Sequence, residues 1–163
     1  MLTYKFKPSI LSEYFDLKVV EQCKSCKRYG QKATCPPYVS SMEYYQKLLP
    51  TYTHGRLLIK KYECKDHSQW KEIGKKSSVE MTKYLQEQRE VKQKEGVYFV
   101  VAFGAGSCKL CTTCTIPCIH PSQSLVPIEA TGINVFKLVK KVTGIELSFP
   151  VKECFYRVGM LLW

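Results

Sequence analysis

Seven cysteines fall into two groups whose spacing is the spacing of metal ligands. Cys23, Cys26 and Cys35 lie in QCKSCKRYGQKATCPPY, a C-x2-C-x8-C-P-P arrangement. Cys108, Cys111, Cys114 and Cys118 lie in GAGSCKLCTTCTIPCIHP, spaced C-x2-C-x2-C-x3-C. The second run matches the bacterial ferredoxin spacing, in which three thiolates wrap one four-iron cube and the fourth reaches a neighbouring one. A short loop of this kind curls around the metal and turns its amides toward the sulfides. Here Ile119-His120-Pro121 follows the last cysteine, where the ferredoxin run has proline directly. The first group's C-x2-C knuckle fits tetrahedral zinc or an iron-sulfur edge. Its Cys35-Pro36-Pro37 ending favours iron-sulfur, because proline fixes the chain's exit and shields a cluster.

All seven cysteines are therefore candidate ligands of one or two [4Fe-4S] clusters. Zinc is the alternative, with the seven cysteines and His120 building two four-ligand sites. A four-cysteine run this tight is cramped for one zinc ion, which prefers two separated knuckles. A third reading leaves the thiols without metal. Cys118 either completes the cube begun by Cys108, Cys111 and Cys114 or crosses to Cys23, Cys26 and Cys35. The crossed wiring is the expectation, since it gives the first group a fourth thiolate. Cys64 and Cys154, near apolar strand segments, read as buried thiols. His54 and His67 read as surface residues. His120 stands either at a metal or just behind its ligands.

Nine cysteines in 163 residues, with no recognisable export signal, fit the reducing cytoplasm, where ligands are commoner than disulfides. The odd number also argues against a closed disulfide framework. The formal net charge is +11. Two four-iron sites at roughly −2 each would lower the total to about +7, so part of the excess offsets metal-thiolate charge. The lysines of residues 60–76 are interleaved with Glu63, Asp66 and Glu72, which reads as a solvated face rather than a phosphate track. Nucleic acid is thus the less favoured partner. No stretch is long and apolar enough to span a membrane.

The elements that must position these groups alternate along one domain, residues 1–163. A helix is expected over residues 38–49, started near Ser40 or Ser41 and stopped by Pro50. Residues 56–62 (RLLIKKY) read as a strand. Residues 67–95 read as a charged helix with candidate breaks at Gly74 and at the Ser77-Ser78 pair, and Gly96 ends it. Residues 97–103 (VYFVVAF) are apolar throughout and predict a central strand running into Gly104-Ala105-Gly106 and the second cysteine group. Residues 134–142 predict a helix ended by Gly144, and residues 154–163 a last strand. The expected fold is α/β or α+β, a small sheet flanked by helices with the cysteine loops at strand ends.

The chain resembles a known family, predicted metal-binding proteins with a domain of unknown function. The resemblance rests on CKSCKRYGQKATCPPY, RLLIKKY, FGAGSCKLCTTCTIPCIHP and PIEATGINVFKLVKKVTG. Ile119 stands where the family usually has arginine, Ile128 where it has methionine, and Asn134 where it has aspartate. The resemblance implies small cytoplasmic iron-sulfur or metal proteins of anaerobic bacteria and archaea, and it carries over no reaction. From the residues themselves, no radical-SAM triad, Walker loop or nucleophile elbow is present.

Three functions compete. The first is an electron-transfer or redox accessory module with a redox partner protein. The second is a metalloenzyme whose open cluster iron, near Glu129 and His120, handles a small substrate. The third is a zinc-stabilised module that binds nucleic acid or protein.

Overall fold

The structure is a computed structural model describing residues 1–63, 69–148 and 154–163. Two nine-residue strands form its spine. β2 (Gly55–Glu63) and β5 (Cys154–Leu162) pair antiparallel over their whole length, from Gly55 opposite Leu162 to Glu63 opposite Cys154. β1 (Leu2–Phe6) lies antiparallel on the outer side of β2. β3 (Val101–Gly104) lies antiparallel on β5, and the short β4 (Val126–Pro127) runs parallel to β3. The sheet order is β1-β2-β5-β3-β4. With helices α1 (Leu17–Lys24), α2 (Met42–Leu48), α3 (Trp70–Lys94) and α4 (Val135–Thr143), this mixed sheet makes an α+β fold. Among the described residues, no helix is long and apolar enough to cross a membrane.

Alternation along the two long strands divides the core. Leu57, Ile59, Val158, Met160 and Leu162 face one side, where they meet Leu11, Leu49, Ile128 and Leu138. Leu58 faces the other side with Met81 and Leu85 of α3. Burying each such side chain is worth about 1.5–3 kcal/mol. Gly159 of β5 lets α3 come close: a Cβ there would lie 2.8 Å from Leu85 Cδ1 and 2.9 Å from Met81 Sδ.

Three expected helices or strands appear with shifted ends. α2 starts after Ser41, whose Oγ accepts from the Tyr44 amide at 3.3 Å. α4 starts after Asn134, whose Oδ1 accepts from the Lys137 amide at 3.1 Å, and stops at Gly144 with φ 74°. An aspartate there could make the same cap, because either side chain can accept. The expected strand over residues 97–103 is shorter. It begins at Val101, and Tyr98 and Phe99 are 79% and 85% exposed. The middle position in the sheet belongs to β5.

α3 is not interrupted at Gly74 or at Ser77-Ser78. Arg157 of β5 donates to the Gly74 carbonyl at 2.8 Å and to Ser77 Oγ at 3.0 Å, tying the helix to the sheet where its sequence is weakest. The expectations for Cys64 and His67 lie outside the described residues. His54 is exposed, as expected, and its ring stacks on Trp163.

Candidate metal centre

Strand direction brings the two cysteine groups to one end of the sheet. β3 ends at Gly104, and the chain bends through Ala105 and Gly106 (φ 72°) into the run beginning at Cys108. β4 ends at Pro127 and leads into a 3-10 turn, Ile128–Thr131, which carries Glu129. α1 packs against that turn and delivers Cys23 in its last turn. The Cys23 thiol donates to the Glu129 carbonyl at 3.8 Å. The loop after α1 then supplies Cys26 and Cys35. The expectation that the cysteine loops sit at strand ends is met by the second group. The first group hangs from a helix end that the sequence reading did not contain.

The groups adjoin each other. The Ala33 amide, in the first loop, donates to Cys114 Sγ at 3.4 Å. Cys35 is buried and feels both Cys26 and Cys108. Cys108 in turn feels Cys111, Cys114 and Cys118. Cys118 acts on Cys108 of its own run, and the hydrogen bond from Ala33 to Cys114 joins the two groups. Among the described residues, no three Cys, His, Asp or Glu side chains gather closely enough to hold a single ion as they stand.

Backbone amides already point at the sulfurs. The Arg28 amide donates to Cys26 Sγ at 3.4 Å, Ala33 to Cys114, and Leu110 to Cys108. Such bonds stabilise thiolates and tune clusters. Burial, with neighbouring thiols and Glu129, pushes the Cys23 thiol up to about 11. Burial also raises Cys35 and Cys108. Crowded, desolvated thiols resist ionisation unless a cation joins them, and a metal ion supplies that charge. The seven sulfurs, the aimed amides and the surrounding cations fit a metal-thiolate centre.

Those cations were not singled out in the sequence. Burial, and after it Arg28, Lys32 and Arg157, lower the Lys109 ammonium below the usual lysine range. Lys109 Nζ donates to Ser107 Oγ at 3.1 Å, beside the run. Arg157 is 8% exposed, and its Nη1 donates to the Ala105 carbonyl at 2.7 Å, bracing the bend into the second group. The signal for it was an arginine inside an otherwise apolar strand, CFYRVGMLLW. The Glu129 carboxyl turns inward toward the Gly106 amide. Burial raises it above the usual carboxylate range, and Arg157 opposes that shift. Among the described residues, its Oε2 is fully buried with no hydrogen-bond partner.

A family described as Predicted metal-binding protein (DUF2284) matches residues 13–163. The chain belongs to this family. No curated protein and no solved structure matches it. Membership supports metal binding as such and leaves the metal to be read from the donors. Cys154 opens β5 opposite Glu63 and is partly buried. His120 is exposed, with its carbonyl accepting from Gln123 and Ser124.

Proposed function

We propose that this metal-binding protein is an iron-sulfur protein. It holds [4Fe-4S] clusters at Cys108, Cys111, Cys114 and Cys118 and at Cys23, Cys26 and Cys35, and it works in the cytoplasm as an electron-transfer or redox accessory module. The observation that carries the reading is the contact between the groups, Ala33 amide to Cys114 sulfur, in a chain whose second run has the ferredoxin spacing. Adjoining clusters can exchange electrons, whereas the four-cysteine run is cramped for zinc, which prefers two separated knuckles. When bound, the clusters supply one-electron chemistry. The chain's own part is to aim amides at the sulfurs, hold cations around them and keep Cys35 from water. A redox partner protein would deliver or collect the electrons.

Purification without oxygen, followed by metal and sulfide analysis, tests this. About four to eight irons per chain, matching acid-labile sulfide, and a brown solution absorbing near ~400 nm are expected. Stoichiometric zinc without sulfide in the same anaerobic preparation would overturn it.

A further inference from the structure

A cavity of about 820 Å³ opens beside Cys23, Cys26 and Cys35. At ~30 Å³ per water-sized atom, an eight-atom cluster takes about 240 Å³, so more than half of the space remains. The remainder lies within the range of pockets that hold small organic molecules, roughly 300–1,000 Å³.

The wall around that space has a definite chemistry. α1 contributes Val19, and the start of α4 contributes Val135 and Phe136. Tyr29 and Phe136 are 38% and 47% exposed, two aromatic side chains on the lining that folding leaves half uncovered. Arg28 lies on the same lining, and among the described residues its side chain has no acidic partner. Lys32 and Lys109 stand close enough to act with it on the local potential. The one acidic residue of the lining, Glu129, keeps its Oε2 buried out of solvent.

We infer that this cavity binds a small organic carboxylate, with its flat apolar body against Tyr29 and Phe136 and its carboxylate paired with Arg28. Arginine's fork suits a carboxylate in two-point contact, and Arg28 is exposed, open to a ligand entering from solvent. The three cysteines of the first group share the cavity wall, so the bound molecule lies beside them. The inference rests on the iron-sulfur reading only for what fills the rest of the cavity.

Isothermal titration of the anaerobically purified protein with benzoate, benzamide and benzylamine tests it, with iron counted on the same samples. Benzoate should bind saturably and about tenfold or more tighter than its neutral isostere benzamide, the difference of one ion pair. Arg28→Gln should abolish that preference, Arg28→Lys should keep part of it, and Phe136→Ala should weaken both ligands alike. Benzoate binding no tighter than benzamide, a preference for benzylamine, or an unchanged preference in Arg28→Gln would overturn the inference. Iron without benzoate binding refutes the cavity assignment and leaves the cluster reading standing. Benzoate binding that depends on Arg28 in protein free of iron does the reverse.

Discussion

The Ala33 amide donates to Cys114 Sγ at 3.4 Å, joining the first cysteine loop to a sulfur 81 residues further along the chain. The positive end of that N–H dipole favours the more negative, reduced state of any cluster Cys114 holds. Ala33→Pro deletes the donor and leaves the sulfur. A bond worth about 1 kcal/mol corresponds to a fall in potential of about 40 mV for a one-electron couple. Redox titration followed by electron paramagnetic resonance, on protein with an unchanged iron count, measures it. A potential that stays put would show that the contact does not survive cluster binding.

The cysteines divide by what losing them should do. Cys108→Ser, Cys111→Ser and Cys114→Ser should each lower iron content and stability together, because metal-binding free energy is here folding free energy. Cys154→Ser should leave the iron count unchanged, since Cys154 opens β5 opposite Glu63, outside both cysteine groups. Iron analysis beside a melting curve separates the two classes. Equal iron loss from Cys154→Ser would make it a ligand.

What the sequence made legible follows periodicity and caps. β2 and β5 were readable because continuous apolar runs are flanked by breaks. α2 and α4 were readable from Ser41, Asn134 and Gly144. β1 was missed because Tyr4 and Phe6 alternate with Lys5 and Lys7 in a segment too short to stand out. α1 carries a weak signal, because it spans eight residues and buries only Val19, and its start rests on Asp16, whose carboxylate accepts from the Lys18 amide at 3.0 Å. The two cysteine groups stood out by their spacing, and the structure brings them side by side. Their contact through Ala33 and Cys114, and the cations around them, were not legible, because both are long-range placements that no local pattern encodes.

Gly159 offers a test of the sheet face opposite the main core. Adding one methyl puts Cβ within 2.8 Å of Leu85 Cδ1, and the helix must shift or the side chains must leave their rotamers. Gly159→Ala should therefore cost about 1–3 kcal/mol. Shortening the obstacle in Gly159→Ala/Leu85→Val should recover part of the loss, although Leu85→Val alone destabilises. Melting curves of the three variants form the cycle, and strict additivity would refute the close approach.

Arg157 carries the strongest prediction because so much converges on one buried side chain. Its guanidinium serves the Ala105 carbonyl at 2.7 Å, the Gly74 carbonyl at 2.8 Å and Ser77 Oγ at 3.0 Å, and it lies over the Phe155 ring at 4.6 Å. It also offsets the buried Glu129 carboxyl. Arg157→Met removes all of this and leaves several buried acceptors unpaired, a loss of about 3–5 kcal/mol. In a chain of this size that lowers Tm by about 10 °C. Arg157→Lys keeps a charge but not the planar fork, and a single ammonium cannot reach helix and bend together, so it should restore only part of the loss. Glu129→Gln in the Arg157→Met background removes the uncompensated acid and should regain stability, whereas Glu129→Gln alone should not. Scanning calorimetry at one fixed rate compares the four variants with the parent. A melting temperature for Arg157→Met within a degree or two of the parent would show that the bend into the second cysteine group holds without its brace.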